Sequence, residues 1–250
     1  MSMNTANQTS RETKHGAHEG VPEGSDSATR AQCEISLIDQ MVQPDQSLIM
    51  AHDPYDPRCE KVRALRTELL LRRESTDRAD IVALVSPSAG EGRSLLAAEL
   101  ALAFAQTGRP TLLVDADLRR PQQHLLFGTD NRIGLSQAIK FGVKPQFHTV
   151  NGVPRMSLLT AGPVPSNPLE LLSSGSFASM IEDWRDSFEF VVIDTAPVMH
   201  FSDGLVIASL VGRVLALSRA QHTRHQDMQD MLRRLVTTRA QVLGAVISHF

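Results

Sequence analysis

Three short segments carry side chains suited to phosphate chemistry. The first, SPSAGEGRSLLAAELA at 86–101, sets Gly90, Glu91 and Gly92 between an apolar run and a run of helix formers. A glycine-rich turn leading into a helix gathers backbone N–H groups, and the helix N-terminus adds partial positive charge, so a phosphate fits there. The pattern G-x-x-x-x-G-K-[ST] fails twice, because Pro87 stands at its first glycine and Arg93 at its lysine, whereas Ser94 keeps the hydroxyl used for Mg2+. Taken alone, the segment fits a nucleotide site or merely a tight strand-to-helix turn.

The second, LLVDADLRRP at 112–121, ends an apolar strand by presenting Asp115 and Asp117 on the same side of the chain, at the carboxyl edge of a sheet. The alternative is a pair of helix-capping aspartates. The third, FEFVVIDTAPV at 188–198, brings Asp194 out of another apolar run, where a second carboxylate for magnesium would stand. Together the three make a phosphate loop backed by acidic strand ends.

These residues need a sheet to position them. From residue 81 onward, short apolar runs alternate with amphipathic stretches, the signature of a mostly parallel sheet with crossover helices on both faces. Strands are expected at 81–86, 111–116, 156–161, 188–195, 213–218 and 242–248. Helices are expected at 93–106, 135–141, 168–185 with a break near Gly175, 203–210 and 224–238. Upstream, Asp56 followed by Pro57 supplies an N-cap and a proline at the first helical position for a helix over 57–73. The patch ISLIDQMV at 35–42 is expected as one short helix and 43–57 as an extended connection. The stretch before residue 31 lacks large apolar residues and is expected to be disordered.

Composition narrows the function classes. A chain of 250 residues with 42% hydrophobic content supports one main domain, and a net charge of −3 gives no basic excess for nucleic acid. Cys33 and Cys59, the two cysteines, lack metal-ligand spacing. The best candidate for a membrane span, 205–217, is interrupted by Arg213, and the N-terminus lacks the apolar core of a signal peptide, so a cytoplasmic chain is expected. His222, His225 and His249 lack ligand spacing to a carboxylate cluster.

From about residue 56 to its end the chain resembles the bacterial tyrosine kinases (BY-kinases), P-loop proteins that control capsule and exopolysaccharide chain length and export. Besides the three segments, the resemblance rests on EKVRALR at 60–66, RIGLSQAI at 132–139, LTAGPVPSNPLELLSS at 159–174, DTAPVMHFSDG at 194–204 and VLGAVISHF at 242–250. It implies a P-loop NTPase-like α/β fold divided as a disordered N-terminal tail (1–45), a connection and oligomerisation helix (46–79), and a nucleotide-binding kinase domain (80–250).

The resemblance further implies ATP and Mg2+ as cofactors. Ala89, Gly90, Glu91, Gly92, Arg93, Ser94 and Leu95 would wrap the phosphates. Ser94, Asp115 and Asp194 would hold the metal, and Asp117 or Asp115 would accept the proton of the attacking hydroxyl. Arginine at position 93 keeps a permanent charge beside the phosphates, although its planar head cannot take a lysine's place, so a working site with slow turnover is expected.

Glu60, Arg63 and Arg66 match the family's E-x-x-R-x-x-R pattern and imply a homo-oligomeric ring, with a solvated helix face as the bland alternative. The implied partner is the cytoplasmic segment of a membrane chain-length determinant, which would hold the chain at the inner membrane. A non-phosphorylating ATP switch acting on the same machinery is the rival function, and a scaffold that no longer binds ATP is a third. Two departures stand out: this sequence contains one tyrosine, Tyr55, and no tyrosine-rich tail, and Ser248 replaces an asparagine expected near the base. Partition-type ATPases are set aside because Ser88 stands where they need a second lysine. Arg119, Arg120 and His124 either steer a substrate or form a solvated basic turn.

Overall fold

A computed structural model describes residues 36–73 and 78–249. The disorder expected before residue 31 lies outside the described residues. The described chain opens with strand β1 (Ser36–Val42), helix α1 (Ile49–His52) and helix α2 (Pro57–Leu71). The phosphate-loop unit follows as strand β2 (Asp80–Val85) and helix α3 (Arg93–Ala105), then strand β3 (Thr111–Asp115) and helices α4 (Gln123–Leu126) and α5 (Leu135–Phe141). A hairpin of β4 (Gln146–Val150) and β5 (Val153–Leu159) leads to helices α6 (Pro168–Leu172) and α7 (Gly175–Ser187). The chain closes with β6 (Phe190–Asp194), α8 (Asp203–Val211), β7 (Arg213–Arg219), α9 (His225–Val236) and β8 (Gln241–Ser248).

The eight strands form one sheet in the order β1-β4-β5-β3-β6-β2-β7-β8, and only the β4–β5 pair is antiparallel. The central strands are buried on both faces, so they read as continuous apolar runs. Along β2, Ile81, Ala83 and Val85 pack toward α5 to α9, while Val82 and Leu84 pack toward α1 to α4. Each large side chain removed from water on either face contributes about 1.5–3 kcal/mol. On the α3 face, Phe104 stacks on Phe190 at 4.3 Å between ring centres. The mostly parallel α/β fold is therefore as the apolar runs predict.

Register does the positioning. Strands β3 and β6 are parallel neighbours with Asp115 level with Asp194, and β2 pairs with β6 so that Leu84 lies beside Asp194. The loop after β2 therefore opens directly over the two acidic strand ends, at the carboxyl edge where open α/β sheets bind ligands.

Two expectations fail before the core, and two elements inside it were not expected. Ser36–Val42 is a strand and not a helix: it pairs in parallel with the exposed edge of β4, with Val42 buried and Met41 59% exposed. Pairing with an available strand edge overrides the weak local helix preference. The stretch 43–57 contains α1, because the buried carboxylate of Glu99 accepts from the amides of Ile49 (2.7 Å) and Met50 (3.0 Å). Within the core, QFHTV in β4 and QHLL in α4 carry too few large apolar residues to signal an element. The helix over 57–73 forms as Pro57–Leu71, with Asp56 accepting from the amide of Arg58 at 2.8 Å, and the break expected near Gly175 divides α6 from α7.

Candidate active site

The loop between β2 and α3 turns through Gly90 (φ +78°) and Gly92 (φ +85°), conformations that a side chain would strain. Gly92 is the N-cap of α3 and offers no side chain to its first turn, so the leading amides of a 13-residue helix remain available to an anion. Contacts from outside hold the loop, among them Arg219 donating to the Gly90 carbonyl (3.1 Å) and the Ser248 hydroxyl to the Glu91 carbonyl (3.1 Å). Ser248, expected near a base, thus braces the phosphate loop. Glu91 is buried at 1% exposure, and burial pushes its carboxyl up from the ordinary range, opposed by the Thr223 hydroxyl and the Ser88 amide.

Beneath the loop lies a cavity of about 450 Å3. Ala89, Gly90, Glu91, Gly92, Arg93, Ser94 and Leu95 all line it, joined from the other side by Asp117. Arg119, Arg120, Gln122, Leu126, Pro197, His200 and Phe201 complete its lining. Asp115 and Asp194 stand behind this lining, fully buried at the strand ends.

The three carboxylates differ in what they hold. Asp115 accepts from the amide of Asp117 (3.2 Å) with Oδ1 and from those of Gln122 (3.0 Å) and Gln123 (2.9 Å) with Oδ2, so one oxygen is committed to the turn after β3 and the other to the backbone entering α4. Burial drives its carboxyl well above the ordinary range, and the neighbouring Asp194 adds to the rise. Asp117 accepts from the Arg119 and Arg120 amides with Oδ1 and from Arg93 with Oδ2. Burial raises its carboxyl too, opposed chiefly by the Arg120 amide and the Arg93 charge. Asp194 accepts from Arg93 and, at 2.9 Å, from the Gln123 side chain. Of the capping alternative, Asp115 does a part, because its Oδ2 accepts at the start of α4, whereas the amides that Asp117 accepts from belong to no helix.

Arg93 is 7% exposed and folds inward instead of out over the loop. Its guanidinium reaches Asp194 (3.0 Å), the Ser86 hydroxyl (2.6 Å) and Asp117 (3.2 Å), which ties the P-loop helix to β2, β3 and β6 at once. A lysine has no planar fork with which to span three such partners.

Further residues complete the site. Gln123 is buried, donates to the Ser94 carbonyl (3.0 Å) and to Asp194, and keeps its own carbonyl oxygen without a partner. Ser86 accepts from Arg93. Arg119 forms an ion pair with the buried Asp203 (2.6 Å) and lies over the Phe201 ring at 4.1 Å. The segment at 119–124 is therefore no uniform basic turn: Arg119 is paired, Arg120 is exposed at the cavity, and His124 is half-buried, with burial lowering its pKa. Of these, Gln123 had no sequence signal, whereas Ser86 and Arg119 lie in the first two quoted segments and Asp203, Phe201 and His200 in DTAPVMHFSDG.

Glu60 pairs with Arg63 on the surface of α2, Arg63 also reaches the Pro54 carbonyl, and Arg66 donates to the Ala103 carbonyl of α3 at 2.8 Å. Both arginines are thus engaged within the chain. Among the described residues, no group of three metal-ligating His, Cys, Asp or Glu side chains converges, and no helix is long and apolar enough to cross a membrane.

No family model matches the chain. The tyrosine-protein kinase YwqD of Bacillus subtilis is 32% identical over 206 residues, which span 81% of this chain and 86% of that one. Among solved structures, the chimerical protein CapA2B2 superposes with a TM-score of 0.76 at 31% identity, covering 83% of this chain and 91% of that one. The kinase domain of the Escherichia coli tyrosine kinase ETK superposes with a TM-score of 0.75 at 28% identity, covering 81% and 79%. With the phosphate loop, the paired strand-end aspartates and their register all in place, the chain belongs to the bacterial tyrosine kinase (BY-kinase) family of P-loop phosphotransferases.

Proposed function

We propose that this chain is an ATP- and Mg2+-dependent protein tyrosine kinase of exopolysaccharide production, working with the cytoplasmic segment of a membrane chain-length determinant. The observation that carries the reading is the shared cavity: the free amides at the start of α3, the Ser94 residue and the Asp117 carboxylate face one space.

The residues present fit the nucleotide and its metal. The donor set at the helix N-terminus suits phosphate, and a hydroxyl with one or two carboxylates suits Mg2+, which keeps several waters and takes the rest of its shell from phosphates. Bound Mg-ATP would supply the phosphoryl group with its charge partly neutralised. Residues 89–95 would hold the phosphates, and Ser94 and Asp194, with Asp115 behind them, would hold the metal. Arg93 would exchange its carboxylate partners for phosphate oxygens. Asp117 would orient the tyrosine hydroxyl and take its proton, because it faces the cavity while Asp115 is spent on three amides. Its raised pKa makes it a stronger base than an ordinary aspartate.

The α2 surface bearing Glu60, Arg63 and Arg66 is proposed as the ring contact between copies. Glu60 supports it, with a side chain 71% exposed and so open to a neighbour's cation. Similarity to the CapA2B2 chimera supports a two-component arrangement, which would place this chain at the inner face of a membrane through its partner.

A second reading, an ATP switch without phosphoryl transfer, is favoured by the inward Arg93, whose contacts occupy both Asp117 and Asp194. Incubation with Mg-ATP, a tyrosine-containing acceptor and the partner's cytoplasmic segment separates the two. Phosphotyrosine found by mass spectrometry supports the kinase, and measurable ATP binding without it supports the switch.

A further inference from the structure

One buried residue touches all three residues proposed for the metal. Gln123 is 0% exposed and opens α4. Its backbone amide donates to Asp115 Oδ2 (2.9 Å), and its side-chain N–H2 donates to Asp194 Oδ2 (2.9 Å) and to the Ser94 carbonyl (3.0 Å). The ends of β3 and β6 and the first turn of α3 therefore meet at a single glutamine.

The chemistry of its partners fixes which way the carboxamide faces. Both side-chain partners are acceptors, a carboxylate and a carbonyl, so the N–H2 points to them and the Oε1 points away. That Oε1 is buried and has no hydrogen-bond partner among the described residues. A glutamine that served only to tie α4 to α3 would strand a buried carbonyl oxygen, a cost that an apolar side chain avoids. The orphan oxygen needs a donor. Beside a hydroxyl and strand-end carboxylates that suit Mg2+, the donors at hand are the waters this ion keeps in its shell. A neutral carbonyl also suits the place, because another carboxylate beside Asp115, Asp117 and Asp194 would add like charge.

The two oxygens of Asp194 are divided between partners, Oδ1 accepting from Arg93 and Oδ2 from Gln123. If Arg93 turns to phosphate, Oδ1 is released while Gln123 still holds the carboxylate in orientation. Hydrogen-bond partners that hold a ligating carboxylate in this way tune metal affinity without touching the metal.

We propose that Gln123 is a positioning residue of the metal site: its N–H2 orients Asp194 and Ser94, and its Oε1 accepts a hydrogen bond from a water on Mg2+. The inference rests on the nucleotide and metal half of the kinase reading, and it concerns metal affinity, not phosphoryl transfer.

The test therefore measures binding. Titration calorimetry on the full chain gives the affinity for ATP with Mg2+ and for ATP in EDTA, and the electron paramagnetic resonance signal of free Mn2+ gives the metal affinity of the ATP complex. Gln123→Met keeps the length of the side chain and removes both donor and acceptor. Urea melts first establish that it is folded, and Gln123→Leu serves if it is not. Metal affinity is expected to fall about 10- to 100-fold, with ATP in EDTA bound as by the parent. An equal loss with and without metal overturns the proposal, because a residue that only ties α4 to α3 acts on the nucleotide in both conditions. Unchanged metal affinity overturns it too, as does unfolding of both variants, which marks a structural tie. A parent chain that binds no ATP overturns the nucleotide reading and this inference with it. A parent that binds Mg-ATP, shows the metal-specific loss on substitution and phosphorylates no tyrosine supports this proposal while sinking the kinase reading.

Discussion

The guanidinium of Arg93 lies between Asp117 and Asp194, 3.2 Å from one carboxylate and 3.0 Å from the other, with all three groups almost sealed from solvent. Buried carboxylates left without a cation carry a large desolvation cost, and Arg93 offsets it for two strand ends at once. Replacing it with methionine is therefore expected to lower stability by about 3–5 kcal/mol. Arg93→Lys keeps the charge but not the fork, so it is expected to lose about 1.5–3 kcal/mol while binding Mg-ATP at least as tightly, because the inward tie is weaker. Urea unfolding and titration calorimetry check the two halves, and an Arg93→Lys variant as stable as the parent would show that the inward contacts contribute nothing.

Asp117 predicts a pH profile. Its carboxyl is raised from the ordinary 3.8, chiefly by burial, so the basic form that accepts a proton appears only at higher pH than for an exposed aspartate. The acidic limb of kcat/KM should therefore lie above that value, and Asp117→Asn should lower the rate by about 100- to 10,000-fold. Stability runs the other way. Between 3.8 and the raised folded value of Asp117, and likewise of Asp115, the folded chain binds more protons than the unfolded one, so stability falls as pH rises through that window. Asp115→Asn should flatten that slope in urea melts, and an unchanged slope would remove Asp115 as its source.

Arg119 offers a third test. It pairs with Asp203, which is 1% exposed, and covers the Phe201 ring in the lining of the cavity. Arg119→Ala strands a buried carboxylate and should cost about 3–5 kcal/mol, whereas the double variant Arg119→Leu with Asp203→Leu should recover most of that loss. Denaturant melts of the pair distinguish an ion pair that merely fills space from one that corrects a buried charge.

Separating fold from assembly on α2 is possible because its charges differ in burial. Glu60 is exposed and pairs with Arg63 along the helix, a contact worth about 0.3–0.5 kcal/mol. Glu60→Arg should leave the melting temperature within a degree or two and abolish any ring seen by sedimentation. Arg66→Ala instead removes a tie to the Ala103 carbonyl and should destabilise the monomer by about 1–3 kcal/mol. A Glu60→Arg chain that still assembles would sink the ring contact.

Most of the core and the phosphate loop were legible in the sequence, because buried parallel strands write themselves as unbroken apolar runs such as LLVD and FVVID, and because Gly90 and Gly92 mark a turn that other residues would strain. What was hidden lay where long-range contacts decide the outcome. Residues 36–42 become a strand only because β4 offers an edge, and α1 exists because Glu99, half a hundred residues downstream, caps it. In the site, residue types announced Asp115, Asp117 and Asp194, but not which would face the cavity. Gln123 gave no signal, since a glutamine earns its place here only through the partners that the fold brings to it.

Helix α3 begins at the phosphate loop and runs 13 residues, about 20 Å, to the place where the N-terminal elements are fastened. Glu99 grips α1, Gln106 holds the Met50 carbonyl and Ala103 receives Arg66 from α2, all on the far half of this one helix or just past its end. Mechanically, α3 is a rod with the nucleotide loop at its tip and the N-terminal segments bolted to its shaft. A pull on α2, such as a neighbouring subunit would exert, is applied to that shaft with no flexible joint between it and the amides of Gly92 and Arg93.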